Sequence, residues 1–241
     1  MTSSPLNILI VGAGIGGLSA ALTLRRAGHN VDIYERSGLN NEIGAAIHIC
    51  PNASRGLLAL GLDPVAARFV NAKKSWRAES ATLKCFHEAD EGYVARKFGA
   101  PWWWCHRVDL HEALKILALG EKGEGKPAVV HLKKGVTSYD PEAGSVTFAD
   151  GSVASGDLVI AADGVHSKAV EAVIGYPNPA LPTEKYNFCY RFLIPTAEIA
   201  SDPETAIWTE GDEGRIKFIV SEGRRLVWYP CRKYVSLLNS R

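Results

Sequence analysis

The chain has 241 residues, 46% of them apolar and 22% charged, with a formal net charge of +1. That size and composition fit one large α/β domain or a domain with a smaller appended part, and near-neutrality excludes an electrostatic case for nucleic acid or an anionic membrane as partner. The five cysteines, Cys50, Cys85, Cys105, Cys189 and Cys231, are scattered with no C-x-x-C pair; they read as free thiols of a reducing compartment, and no metal is expected.

Met1 to Pro5 carry no basic segment, and the apolar stretch that follows is too short and too glycine-rich for a membrane span. The expectation is a soluble cytoplasmic protein with no signal peptide and no membrane association. Leu6 to Gly17, L-N-I-L-I-V-G-A-G-I-G-G, reads as strand, phosphate loop and helix start. Gly12 allows the tight turn out of the strand, Gly14 lets backbone N–H groups approach a pyrophosphate, and Gly17 lets the next helix pack closely on the strand. Leu18 to Leu24 give that helix its apolar face, and Gly28 ends it. Val31, Ile33 and Tyr34 form a second strand, with Glu35 at its end where the fingerprint places a carboxylate for ribose hydroxyls. NAD and FAD sites share these features; Glu35 would repel the 2′-phosphate of NADP.

A loop follows from Arg36 to Glu42, then the small residues Gly44-Ala45-Ala46 and Pro51-Asn52-Ala53, which suit backbone running beside something flat. Asn52 reads as the N-cap of a helix stopped by Gly61, and Ala66 to Phe69 as further helix. From Lys74, alternating residues including Leu83, Cys85, Tyr93, Ala95 and Phe98 predict short antiparallel strands. Trp102, Trp103 and Trp104 cannot all point one way on a strand, so at least one faces a pocket or a neighbouring layer. Cys105 beside His106 reads as a structural thiol. A helix then opens, with Asp109 and Glu112 at capping-box spacing and Arg107 ahead of the cap, where it could meet a cofactor or a surface carboxylate.

Gly120 to Pro127 is a solvated connector. Val129 to Leu132, Gly135 to Tyr139 and Ser145 to Phe148 read as strands, with Asp150-Gly151 as a two-residue hairpin turn. Asp157 to Ser167 is the second chemically loaded stretch: an apolar strand ends in Asp163-Gly164, at the edge where open α/β sheets place ligands, although Asp163 also suits a plain turn. His166 reads as a packing histidine of that loop. Tyr186 to Ile194, Ala206 to Thr209, Arg215 to Val220 and Arg224 to Tyr229 read as strands of a second sheet, and Lys233 to Arg241 as no closing element.

Together these stretches resemble the FAD-dependent aromatic hydroxylases, single-component flavoprotein monooxygenases of the salicylate and p-hydroxybenzoate hydroxylase type, most closely their fungal secondary-metabolism members. The likeness covers nearly the whole chain. It rests on the glycine fingerprint with Glu35, Gly44 to Ile47 leading to Pro51-Asn52-Ala53, His106-Arg107-Val108-Asp109-Leu110, and Asp157 to Ser167. It implies an α/β fold: a Rossmann-like FAD-binding domain with a parallel sheet, residues 1–75 and 105–180, plus an incomplete antiparallel β-sheet substrate domain, residues 76–104 and 181–241. It implies hydroxylation of a small aromatic or phenolic metabolite, with FAD as cofactor, NAD(P)H as transient reductant and O2 as co-substrate. By the same resemblance Gly12, Gly14 and Gly17 cradle FAD and Glu35 binds its adenosine ribose. Ala46 lies along the flavin, Arg107 contacts the cofactor, and Asp163 sits near the pyrophosphate. Arg191 and Tyr229 match a catalytic arginine and its tyrosine partner, a cation to hold an acidic substrate and a phenol to relay a proton.

Family members continue to a Gly-Asp motif followed by Pro and a Gly-rich turn, which this sequence does not contain. The expectation is a C-terminally truncated form, or a reduced relative completed by another chain, with the substrate sheet stopping after Tyr229. A catalytically defective or partner-dependent flavoprotein is the alternative. An NAD-dependent dehydrogenase ranks last, for want of a Tyr-x-x-x-Lys or His-Asp pair.

Overall fold

The structure is a computed structural model that describes residues 4–39, 44–178, 189–211 and 213–232, and the backbone of 234–240. In chain order the elements are β1 (Asn7–Val11), α1 (Ile15–Arg26), β2 (Asn30–Glu35), β3 (Ala46–Ile49), α2 (Pro51–Ala59), β4 (Val70–Asn71), β5 (Lys74–Glu79), β6 (Cys85–Asp90), α3 (Tyr93–Phe98), β7 (Trp103–His106), α4 (Arg107–Leu119), β8 (Val129–Leu132), β9 (Val136–Asp140), β10 (Ser145–Phe148), β11 (Val153–Ser155), β12 (Leu158–Ala161), α5 (Ala169–Ile174), β13 (Cys189–Pro195), α6 (Thr196–Ser201), β14 (Arg215–Ser221), β15 (Arg224–Cys231) and β16 (Tyr234–Ser240). They fall into two compact units, Met1–Glu42 with His111–Pro182, and Ile43–Leu110 with Thr183–Arg241.

The first unit is built on a parallel sheet of order β12-β1-β2-β8. Ile8 to Val11 are all buried, as a strand covered on both faces requires. Leu9 and Val11 meet Val146 and Phe148 of the antiparallel sheet β11-β10-β9 on one face. Helix α1 packs on β1 and β2, burying Leu18, Ala21 and Leu22; each of the two leucines contributes about 1.5–3 kcal/mol. Arg25, fully buried, satisfies the carbonyls that end α4. Its Nη1 donates to Leu117, Ala118 and Gly120 at 2.9–3.1 Å, and its Nη2 to Gly125 at 2.9 Å.

The second unit holds the six-stranded sheet β13-β16-β15-β14-β5-β6 and the small antiparallel sheet β3-β7-β4. The large sheet is antiparallel except where β14 runs parallel to β5. Side-chain alternation gives it two apolar faces. Ile216, Tyr229 and Cys231 pack with Ala46, Ala72 and Trp104 on one, and Trp228 packs with Ile199 of α6 and Trp208 on the other. Among the described residues no helix is long and apolar enough to cross a membrane.

Several local expectations are corrected. Cys50, not Asn52, stands at the α2 N-cap, because Pro51 takes the first helical position, where its missing N–H costs nothing. Ala66 to Phe69 form turns, not helix: the Asp63 carboxylate accepts the N–H groups of Val65 and Ala66, and Arg68 adopts a left-handed φ of 57°. Tyr93–Phe98 is helix α3 rather than strand, with Val94 as its buried residue. Asp109 lies inside the first turn of α4 and is no cap; its carboxylate is held by Arg68 and Arg232.

The Asp150-Gly151 hairpin has a three-residue connection, since the Phe148 N–H donates to Ser152 O at 2.9 Å and the Gly151 N–H to Phe148 O at 2.9 Å. Ala206–Trp208 is a 3-10 turn, not a strand. Residues 40–42 of the predicted loop and 186–188 of the predicted strand lie outside the described residues, while the rest of that strand is β13. The second sheet does not stop at Tyr229. β15 runs to Cys231, and 234–240, expected to form no element, is strand β16, paired on both sides with β13 and β15.

Candidate functional site

In the first unit, β1 delivers the chain into the glycine loop. Gly12 has φ +101°, and a Cβ there would lie 2.5 Å from the Ala162 carbonyl oxygen and 3.1 Å from Asp163 Cα. A Cβ on Gly17 would collide with the Gly12 carbonyl, so both positions exclude a side chain. Helix α1 begins at an N-cap, Gly14, that supplies no side-chain acceptor, so its first N–H groups point toward the position an anion takes at a helix start. His111, 2% exposed, holds the loop from α4: its Nε2 lies 2.7 Å from the Ala13 carbonyl oxygen.

Two carboxylates flank this loop. Glu35 ends β2, and its Oε2 accepts the Ala13 N–H and its Oε1 the Ser37 N–H, both at 2.8 Å. Burial works to raise its pKa, but those backbone donors, the Ser37 side chain and the Arg36 charge outweigh it and hold the carboxyl below its usual range. Asp163 follows β12 on the other side of β1. Its Oδ2 accepts the Tyr139 hydroxyl and the Lys168 N–H, each at 3.0 Å. Its Oδ1 is buried with no partner. Burial, with Asp163 alongside, pushes the Tyr139 phenol well up, so it stays a proton donor. A close-approach loop, a helix start and two flanking carboxylates, one with a bare buried oxygen, fit a pyrophosphate bearing a hydroxylated sugar on each side.

In the second unit Ala46 and Arg107 come together. The Arg107 N–H donates to Ala45 O at 2.9 Å, and Ala46 pairs with His106 across the β3–β7 ladder. Ala46 is buried, and its carbonyl oxygen accepts the Tyr229 hydroxyl at 2.8 Å. Arg191 is exposed on β13. Register through β16 aligns it with Val227, two residues before Tyr229 and on the same sheet face. With strands about 4.8 Å apart and a rise of about 3.4 Å per residue, the two Cα atoms are about 12 Å apart. Arg191 and Tyr229 thus share a face without being adjacent.

His48 sits edge-on to Tyr229, with ring centroids 4.4 Å apart, and touches Trp102 and Trp104 at 5.7 and 6.1 Å. Burial among these rings pushes its imidazole down to about 4.

Three of these residues were not singled out from the sequence. Tyr139 and His111 carry no local signal, because their partners lie 24 and 98 positions away. His48 lies in the stretch Gly44 to Ala53, read as backbone beside something flat with no strand predicted, and only the structure places it in β3 against the aromatic rings.

A model of the NAD(P)-binding Rossmann-like domain matches residues 10–48. An FAD-dependent monooxygenase of Aspergillus candidus, cfoG, is 47% identical over 236 residues, covering 96% of this chain and 54% of the relative. Over nearly its whole length the chain is similar to monooxygenases of the FAD-dependent aromatic hydroxylase type. Another relative, the 3-amino-4-hydroxybenzoate 2-monooxygenase of Streptomyces cremeus, is 32% identical over 235 residues, 95% of this chain and 55% of that one. Among solved structures, Klebsiella pneumoniae HpxO complexed with FAD and uric acid matches with a TM-score of 0.77 and 26% identity, over 98% of this chain and 56% of that one. The chain thus spans about half the length of the curated relatives it matches. The Rossmann-like unit and the partly antiparallel second unit are the fold expected for this family.

Proposed function

We propose that the chain binds FAD and serves the hydroxylation of a small aromatic or phenolic metabolite with NAD(P)H and O2, in secondary-metabolite biosynthesis. The observation that carries the reading is the glycine loop between Glu35 and Asp163, with the buried Oδ1 of Asp163 lacking a donor. When bound, FAD supplies the redox chemistry, accepting hydride from NAD(P)H and activating O2. Gly12, Gly14 and Gly17 admit the pyrophosphate to the backbone N–H groups. Glu35 accepts from adenosine ribose hydroxyls, using lone pairs not taken by Ala13 and Ser37.

Ala46 and Arg107 are the cofactor contacts of the second unit. Arg191 is exposed, and its guanidinium is the group proposed to pair with an acidic or phenolic substrate oxygen. Tyr229 is assigned differently. Its hydroxyl proton is directed at the Ala46 carbonyl, so it positions the strand that carries Ala46. The functional division, residues 1–75 and 105–180 for cofactor and 76–104 and 181–241 for substrate, is proposed alongside the two compact units. The scattered thiols support a cytoplasmic location.

The test is the visible spectrum of the purified chain, followed by NAD(P)H consumption with a panel of phenolic acids. Yellow protein, or colourless protein that takes up FAD, with substrate-dependent consumption supports the reading. Protein that cannot be reconstituted with FAD overturns it.

A further inference from the structure

A carboxylate whose two oxygens are treated so unequally needs an explanation. Oδ2 of Asp163 takes two donors, the Tyr139 hydroxyl and the Lys168 N–H, while Oδ1 is shielded from water and takes none. A buried acceptor left bare is costly, and rotation of the carboxyl group would share the donors unless both were fixed. Both are fixed. Lys168 precedes α5 and offers a backbone donor. Tyr139 stands opposite Val146 in the β9–β10 ladder, and its ring packs with the cluster of Leu9, Val11, Val146 and Phe148, so the core sets where its hydroxyl lies.

The bare oxygen also has a defined neighbourhood, since Asp163 Cα lies within contact of the space beside Gly12. The partner it awaits must bring a proton. A phosphate oxygen brings none and is repelled by the carboxylate, so the partner is a hydroxyl next to the pyrophosphate. Glu35 flanks the loop from β2 and Asp163 from beyond β12, so one sugar falls to each.

We propose that Tyr139 is a positioning residue of the cofactor site: by holding Oδ2 of Asp163 it presents Oδ1 to a hydroxyl of the sugar chain on the flavin side of the pyrophosphate. This rests on the FAD reading proposed for the same site. A nicotinamide ribose offers similar hydroxyls, so the test separates the two dinucleotides.

The full chain, Tyr139→Phe, Asp163→Ala and the double variant are titrated with FAD, NAD+ and ADP, and the melting temperature of each ligand-free protein is recorded. ADP carries the adenosine sugar but no second sugar chain. Tyr139→Phe keeps the ring and removes the hydroxyl. The expected result is an FAD Kd about tenfold weaker, corresponding to loss of one charge-assisted hydrogen bond, with ADP binding within about twofold. In the Asp163→Ala background, Tyr139→Phe then adds less than about twofold, because the tyrosine acts through the carboxylate.

Parallel weakening of FAD and ADP with a lowered melting temperature would make Tyr139 merely structural and overturn the proposal. Wild-type protein that binds FAD, with Tyr139→Phe unaffected, would overturn it alone and leave the FAD reading standing. Wild-type protein that binds ADP but not FAD would overturn the FAD reading and this inference with it. Preference for NAD+ would overturn the assignment to the flavin side.

Discussion

The hydroxyl of Tyr229 donates to the carbonyl oxygen of Ala46 at 2.8 Å, joining positions 183 residues apart inside the second unit. Tyr229 is 1% exposed, so this bond has no water to replace it. Tyr229→Phe therefore leaves a buried carbonyl without its donor and is expected to cost about 1–2 kcal/mol, read by urea unfolding. Arg191→Gln, at an exposed position on the edge strand β13, is expected to stay within about 0.5 kcal/mol of wild type. Equal stability of all three proteins would contradict a positioning role for Tyr229.

His48 makes stability depend on pH. Its folded-state pKa is depressed from 6.5 to about 4 by burial. Below pH 6.5 the unfolded chain binds a proton that the folded chain refuses, so this group costs nothing above pH 6.5, and stability falls as pH drops toward 4. The loss reaches up to about 3 kcal/mol at 1.36 kcal/mol per unit. His48→Phe keeps an aromatic ring and removes the titration. Between pH 7 and pH 5 the unfolding free energy of the wild type is expected to fall more steeply than that of the variant. Parallel profiles for the two proteins would show that His48 does not titrate in this way.

Arg25 offers a test in the first unit. Its guanidinium serves four backbone carbonyls at the end of α4 and in the connector beyond it. Arg25→Met fills most of the space but leaves those carbonyls without their donor, and is expected to cost about 3 kcal/mol. A loss under about 0.5 kcal/mol would mean that water replaces the guanidinium.

What was legible in the sequence was local. β1, the glycine loop, α1 and Glu35 follow from an apolar run, glycine spacing and a second strand of known length, all within 30 residues. Asp163 was legible as a strand-end carboxylate for the same reason. Its partner Tyr139 was not, because the pair depends on how β9 is held against the parallel sheet. The alternation of Tyr93–Phe98 imitates a strand, whereas the structure makes it a helix that buries only Val94 and ends at Gly99, φ +68°. Residues 234–240 carry β-forming Tyr234 and Val235 but no clean alternation or bounding turn, so β16 is set by its pairing with β13 and β15 on both edges. The roles of Ala46, Arg107 and Arg191 came from family likeness alone.

The most direct test of the whole reading is an FAD titration of the wild-type chain beside Gly12→Val, followed by flavin absorbance and fluorescence. A side chain at Gly12 meets both a left-handed backbone and the Ala162 carbonyl at 2.5 Å, which closes the approach to the pyrophosphate. Saturable binding by the wild type, with loss of at least about a hundredfold in Gly12→Val, is the expected result. Absence of FAD binding by the wild type, or equal binding by the two proteins, would contradict it.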